Sequence, residues 1–291
     1  MSALLELQSL MNRHAGQELL PAIGITTSAV ETAPMPAVSD PVFALVAQGR
    51  KRTILGDTEF HYGAGEYLVV SAELPVVAHV TAAPYAVVGL RLRPALIADL
   101  LLETTPPASP PTGPAVAVSR APDNLLDAVV RLVRLLDEPA AIPVLAPAYE
   151  KEIVWRLITG EQGAMVRQIG LADSSLAQIS RAIRWIRRNY ADLFRVEDAA
   201  RIAGMSVTSF HRHFRAVTTL TPIQYKKQIR LQEARARLIA DPHDVAAVGY
   251  AVGYESPSQF SREYRRMFGL PPSADAARLH RDPAAQLPMI A

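Results

Sequence analysis

Three rhythms of apolar and polar residues divide this chain. Residues 1–16, MSALLELQSLMNRHAG, mix apolar and polar positions as an amphipathic helix does, with Glu6 ahead of any basic residue, which argues against a secretory leader. Between 42 and 92 the pattern is that of strands: VFALVAQGRKRTIL, EFHYGAGEYLVVS, LPVVAHVTA and YAVVGLRL are apolar, β-branched stretches split by turn residues. Gly56-Asp57 and Gly63-Ala64-Gly65 mark two hairpin turns. Pro94 then opens a helical stretch, PALIADLLLE. TTPPASPPTGP, 104–114, is proline-dense and reads as a stiff extended connector.

Two helices follow the connector. Residues 123–138 put Leu125, Leu126, Val129, Leu132, Val133 and Leu136 on one face, which suits packing within the chain and a dimer interface equally. Residues 145–160, LAPAYEKEIVWRLITG, end at a glycine stop. From Ser174 onward the chain is helical. Ser175 and Gln178 have capping-box spacing, and Thr221-Pro222-Ile223-Gln224 repeats the device ahead of a long helix. Leu231, Ala234, Leu238 and Ile239 are expected on the buried face of that helix, with Lys226, Lys227, Arg230, Arg235 and Arg237 outside.

Two segments on either side of this helix repeat each other: DAARIAGMSVTSFHRHFRAVTTLTP (Asp198–Pro222) and AVGYAVGYESPSQFSREYRRMFGLPP (Ala247–Pro272). Each has a short helix, a glycine turn (Gly204, Gly253) and a second helix carrying Phe-x-Arg (Phe210 and Arg212; Phe260 and Arg262). That is the spacing of a helix-turn-helix, whose second helix enters a DNA major groove. On a wheel advancing about 100° per residue, Phe210, Phe214 and Val217 form a core face. Thr208, Arg212 and Arg215 lie opposite, with His211 at the edge. In the second copy Phe260, Tyr264 and Met267 make the core face, and Ser258, Gln259, Arg262 and Arg266 point outward. Arginine can bond guanine, and glutamine adenine, in a bidentate manner. His211 and His213 are two apart on a helix and face different ways, so they do not make a metal pair.

Charge sharpens this picture. Residues 174–291 hold 18 Lys/Arg against 10 Asp/Glu, a net of +8, whereas residues 1–173 hold 12 against 18, a net of −6. Such segregation points the C-terminal part at a polyanion. Cysteine is absent, which excludes disulfides, a thiol nucleophile, cysteine-ligated zinc and the repair proteins that accept methyl groups on cysteine. No apolar run reaches membrane-spanning length, so no membrane partner is expected and a cytoplasmic protein is the default.

At this point the residues match a family. Residues 174–277 resemble the DNA-binding domain of AraC/XylS-type transcriptional regulators. The resemblance is carried by Ala199-Ala200, Gly204-Met205-Ser206, Phe210-His211-Arg212-His213-Phe214, Thr221-Pro222 with Tyr225, Ile229-Arg230-Leu231, Gly253-Tyr254, Phe260-Ser261-Arg262 and Phe268-Gly269. It implies base-reading positions at Thr208, His211 and Arg212, and at Pro257, Ser258, Gln259 and Arg262. The second copy departs from the pattern. Gly249 stands where the family usually has alanine, Pro257 has no backbone donor, and Pro272-Ser-Ala-Asp275 replaces the Pro-x-x-Tyr of Pro222–Tyr225. The first helix is therefore expected to supply most of the sequence specificity.

Residues 20–105 resemble the cupin-like N-terminal domain of one branch of the family, through Leu45–Lys51, Tyr62–Leu68 and Val70–Val76. This implies a small-molecule sensor. His61, Tyr62, Tyr67 and His79 either line its pocket or fill the barrel. His61, Glu66 and His79 lack the spacing of a metal-binding cupin, and no metal or other cofactor is expected.

The expected fold is α+β: a cupin-like β-barrel with flanking helices, then an all-α domain of two helix-turn-helix motifs joined by a long helix. The expected units are 1–105 (sensor), 106–173 (connector and helical linker) and 174–291 (DNA-binding), with motifs at about 195–217 and 244–268. The expected function is non-enzymatic: a homodimeric transcription factor that binds double-stranded promoter DNA in response to an effector, with RNA polymerase as a partner if it activates. The alternatives are a constitutive regulator and a cupin enzyme fused to a DNA-binding domain.

Overall fold

The computed structural model describes residues 2–15, 18–20, 23–103, 114–240 and 244–281. All but Pro114 of the proline-dense connector lies outside them. The four apolar stretches form β4 (Val42–Leu55), β5 (Thr58–Gly63), β6 (Glu66–Val70) and β7 (Leu74–Arg91). Four short strands without clear alternation join them: β1 (Glu18–Leu20), β2 (Ile23–Ser28), β3 (Met35–Ser39) and β8 (Val116–Arg120). The antiparallel ladder runs β1-β2-β7-β4-β6-β8, with β3 on β7 and β5 on β4. This sheet is consistent with a cupin-like architecture, and β8 brings residues beyond the connector back into it.

The long strands β4 and β7 each serve two lobes. Their register slips between Val46 and Lys51. Gly49 sits at this bend at φ 77°, where an added Cβ would lie 2.4 Å from the Ala82 carbonyl oxygen. One half of β4 pairs with β6 and the other with β5. The second expected hairpin is therefore corrected. Gly63-Ala64-Gly65 does not reverse the chain: β5 and β6 run on alongside β4 as one interrupted strand, pinned where the Gly65 amide donates to the Val46 carbonyl (2.9 Å).

Helix α1 (Ala3–Arg13) is capped by Ser2 and buries Leu7, Leu10 and Met11. Helices α2 (Pro94–Leu102), α3 (Asp123–Arg134), α4 (Ile142–Thr159) and α5 (Gly163–Gly170) complete the cover. The six apolar residues of 123–136 are all buried within the chain, with α3 packed on α1 and α4. Among the described residues, no helix is long and apolar enough to cross a membrane.

The C-terminal helices are α6 (Ser175–Arg188), α7 (Val196–Ala203), α8 (Val207–Thr218), α9 (Pro222–Ala240), α10 (Val245–Ala251), α11 (Pro257–Phe268) and α12 (Pro272–Arg281). The first cap is Ser174, not Ser175: its hydroxyl oxygen accepts from the Ala177 amide (3.0 Å) because the helix itself begins at Ser175. The capping box at α9 forms in both directions. Gln224 N donates to Thr221 Oγ1 (3.2 Å), and Thr221 N donates to Gln224 Oε1 (2.9 Å).

The exposed face expected for α9 needs correction. Lys226 and Arg235 are 6% and 7% exposed. Lys226 Nζ donates to the Asp192 carbonyl, and Arg235 pairs with Asp275 at 2.8 Å. Helix α9 is gripped from two sides, so it has no single buried stripe. One core runs from the sheet through the linker helices and the first motif as far as Ile229. The second motif has its own smaller core, from Leu231 through Phe260 and Tyr264 to Ala276.

Contacts fix α6, α8 and α9 to the rim of the sheet. Arg187 pairs with Glu73 and lies 3.7 Å from Asp40. Tyr225 Oη donates to the Glu73 carbonyl at 2.9 Å, and Gln232 Nε2 to the Ala37 carbonyl at 3.1 Å. Thr219 Oγ1 donates to the Leu55 carbonyl at 3.3 Å. Ala115 N donates to the Val217 carbonyl at 3.1 Å.

Candidate nucleic-acid interface

Helix α7 ends at Gly204 in the left-handed conformation, and the turn is closed by Ser206, which caps α8 through the Ser209 amide (3.3 Å). Phe210, Phe214 and Val217 are at most 1% exposed. The Phe210 and Phe214 rings meet at 5.2 Å, and Phe214 meets Tyr225 edge-on at 5.6 Å. With that face anchored, Thr208, His211, Arg212 and Arg215 stand exposed together on the other.

The second motif is built the same way. Asp244 caps α10 through the Ala247 amide at 2.8 Å. Ser256 caps α11 through the Gln259 amide at 3.4 Å. Phe260 and Tyr264 are fully buried, and Met267 packs beside them half-buried. Ser258, Gln259, Arg262 and Arg266 are exposed, and so is Arg265, which the helical wheel did not single out. Gly249 is a packing requirement here: an added Cβ would lie 2.9 Å from the Phe260 ring.

Asp275, where the second copy departs from the family pattern, holds α12 in place. It is fully buried and accepts from Arg235 Nε (2.8 Å), Arg278 (2.9 Å) and Tyr264 Oη (3.0 Å). Burial works against its charge, but Arg235, Arg278 and Tyr264 hold the carboxyl below its ordinary value. In the first copy the equivalent Tyr225 reaches outward to Glu73 instead.

On the two exposed faces the guanidinium groups have no carboxylate partner: among the described residues, Arg212, Arg215, Arg262, Arg265 and Arg266 form no ion pair. Some arginines elsewhere pair, Arg93 with Glu150, Arg131 and Arg156 with Glu152, Arg134 with Glu6, whereas Arg184, Arg188 and Arg195 of α6 and the segment after it are also exposed and form no ion pair among the described residues. Glu263, the one acid on α11, is occupied by Lys227 (2.8 Å) and by the Tyr254 hydroxyl (2.8 Å). Burial raises its carboxyl, but these bonds and one from Gln259 bring it below the ordinary range. The two copies differ in how free their polar groups are. Gln259 Nε2 donates to Glu263 (3.4 Å) and Ser258 bonds Ser256 (2.9 Å). Thr208 and His211 make no side-chain hydrogen bond among the described residues. Five uncompensated guanidinium groups on two helix faces are suited to phosphate and guanine.

The four residues considered for a sensor pocket separate. Strand register places His61 and His79 either side of Arg52, and Tyr62 beside Lys51. Tyr62 is buried, bonded to Thr53 Oγ1 at 2.9 Å. His61 Nε2 lies 3.2 Å from Glu59 on the other face. Burial lowers the His79 pKa, and the Arg52 and His61 charges add to this. Tyr67 is buried against Phe43, with ring centroids 5.4 Å apart. Lys51, a residue the sequence reading passed over, is 1% exposed. Its signal was its place between Arg50 and Arg52 in a strand, which turns one of three adjacent cations inward.

The family model for the AraC-type transcriptional regulator N-terminus matches residues 19–165, and a helix-turn-helix domain model matches residues 199–278. The chain is 22% identical over 151 residues to the HTH-type transcriptional regulator YdeC of Bacillus subtilis, 51% of each chain. It is 27% identical over 157 residues to the HTH-type transcriptional activator RhaS of Salmonella schwarzengrund, 53% of this chain and 55% of that one. It thus spans about half the length of the curated relatives it matches. ToxT of Vibrio cholerae shares the fold, with a TM-score of 0.55 at 9% identity over 89% of this chain and 99% of that one. A second ToxT structure, bound to an unsaturated fatty acid, gives 0.54 at 8% identity over 89% and 96%.

Proposed function

The chain belongs to the AraC-type transcriptional regulators, and from that premise we propose that it binds double-stranded promoter DNA through α8 and α11 and regulates transcription in response to a small molecule. The unpaired arginines Arg212, Arg215, Arg262 and Arg266, exposed on two equivalent helix faces, carry this reading. Helix α9, of 19 residues, spaces the two motifs; entry into successive major grooves needs recognition helices about 34 Å apart. Thr208, His211 and Arg212 supply most of the base discrimination, because Ser258 and Gln259 are already engaged locally. Arg262 adds a base contact from the second helix, and Arg265 and Arg266 add affinity for the backbone.

The test is binding of the full chain to its promoter and to scrambled duplex. Arg212→Ala and Arg262→Ala should each cost about 1–3 kcal/mol on the promoter and far less on the scramble. Equal weakening on both would mean contact with phosphates alone.

The sheet unit is the sensing part in this reading. The ToxT bound to a fatty acid shows that a chain of this fold can take a small molecule. Among the described residues, a cavity of about 10 Å³ lies in the sheet interior beside Thr53 and Leu68; the alternative reading is a constitutive regulator. Self-association would use a surface other than the apolar face of α3, which is consumed within the chain; sedimentation of the full chain decides it.

A further inference from the structure

Helices α1, α3 and α4 border an open cavity of about 390 Å³, and every residue that lines it lies on one of these three helices. It is therefore separate from the sheet and from both recognition helices. Arg131 and Arg134 reach it from α3, Glu152 and Arg156 from α4, and Glu6 from α1. Asp127 stands one turn before Arg131 on the same face of α3.

The ion pairs around this cavity leave two charges over. Arg134 pairs with Glu6. Glu152 is shared between Arg131 at 2.7 Å and Arg156 at 3.3 Å, so two guanidinium groups divide one carboxylate. Burial raises the Glu152 carboxyl, but the bonds from both arginines bring it below its ordinary value. Each arginine gives that carboxylate only its Nη2. Among the described residues, Nη1 of each makes no hydrogen bond, and the buried Nε of each has no acceptor. Asp127 is exposed and makes no ion pair or side-chain hydrogen bond among the described residues. Its spacing would let it meet Arg131, but Glu152 holds that guanidinium toward α4. One positive and one negative charge thus border the same cavity without a partner.

We propose that this cavity binds a free α-amino acid with an aliphatic side chain, its carboxylate received by Arg131 and Arg156 and its ammonium by Asp127. A zwitterion brings one charge of each sign, which is what the cavity lacks. Residues four apart on a helix have Cβ atoms about 5–6 Å from each other, so the ligand must carry its two charges close together, as an α-amino acid does. Guanidinium groups match a carboxylate with paired N–H donors. The Asn124 side chain, one turn before Asp127 at the rim, adds an acceptor for the ammonium. Ala3 and Val130 are the apolar residues of the lining, and they favour an aliphatic side chain. The volume is that of a small-molecule site. A ligand held by Asp127 and Arg156 together fastens α3 to α4.

The site stands apart from the reading of the chain as a regulator, and its test needs no DNA. The full chain is titrated calorimetrically with L-alanine, L-valine and L-leucine, and with the N-acetyl and primary-amide forms of each. At least one free amino acid should bind saturably. Its N-acetyl form, which lacks the ammonium, and its amide, which lacks the carboxylate, should each bind about tenfold or more weaker, as loss of a charge-assisted bond requires. Asp127→Asn should weaken the free amino acid by a similar factor and leave the N-acetyl form unchanged, because Asp127 acts only through the ammonium. Arg156→Met should weaken both. Lys151→Met, on the same helix but outside the cavity, should weaken neither. Bound amino acid should slow amide exchange in α3 and α4. Absence of saturable binding by all three amino acids, equal binding of the blocked forms, or full affinity in Asp127→Asn overturns the site. Slowed exchange in the sheet with none in α3 or α4 overturns its location. The comparison of free and blocked forms uses wild-type protein and stands if a variant fails to fold.

Discussion

Replacing Asp275 with alanine should unfold the second motif and leave the first intact. Asp275 is fully buried and receives hydrogen bonds from Arg235, Arg278 and Tyr264. Its loss strands the Arg235 guanidinium, 7% exposed, without its counter-charge, which costs about 3–5 kcal/mol. The core it serves is small, running from Leu231 to Ala276, and is separate from the main one, so that cost is a large part of what holds it. Two probes distinguish the motifs. The chain's two tryptophans, Trp155 and Trp185, lie on α4 and α6, so fluorescence follows the main core. Far-UV ellipticity includes the 29 residues of α10, α11 and α12. In Asp275→Ala, ellipticity should fall in an early urea transition while fluorescence holds. Acid should do the same to the wild type. The Asp275 carboxyl is held below its ordinary value in the folded chain despite its burial. Its contribution is therefore complete above the unfolded pKa and is lost as pH falls through the folded one. A single coincident transition in the variant, or a destabilisation under about 1 kcal/mol, refutes the reasoning.

Gly249→Ala forces a methyl group onto the Phe260 ring and should destabilise the second motif by about 1–3 kcal/mol in urea titrations, in spite of alanine's better helix propensity; a neutral result would mean that α10 shifts freely. Promoter affinity of the full chain should fall steeply with salt, because the unpaired arginines release counterions from DNA; a flat salt response removes the electrostatic interface. Raising the pH from about 7 to 9 should stabilise the wild type relative to Lys51→Met. Between the folded Lys51 value of about 7 and the ordinary 10.5, the unfolded chain binds the extra proton. Equal pH profiles for the two proteins would refute a buried titrating lysine.

Local patterns carried well from sequence to structure. Phe210 and Phe260 define core faces through the 3.6-residue period, and Thr221 with Gln224 caps a helix through neighbours three residues apart. Failures came from non-local partners. Nothing near Asp275 announces Arg235, forty residues earlier, so a buried ion pair read as a lost tyrosine. Arg235 and Lys226 read as surface residues because a helix clasped on both sides shows no single apolar stripe. Strands β1, β3 and β8 are too short to display alternation, and β3 contains Pro36, which weakens the strand pattern. Tyr62 and His61 parted company because neighbours in a strand face opposite ways. Lys51 was hidden by lying between two outward arginines.

Helix α9 changes allegiance within two residues, since Ile229 belongs to the main core and Leu231 to the lesser one. The consequence is kinetic. A complex on DNA would let go in two steps, the lightly anchored second motif lifting first while the first keeps its grip. Tethered by one continuous helix, a lifted motif would remain at high effective concentration over its half of the operator and would rebind before the chain escapes. Residence time on the promoter would then depend on how often both motifs are off together, and would exceed what either contact alone allows.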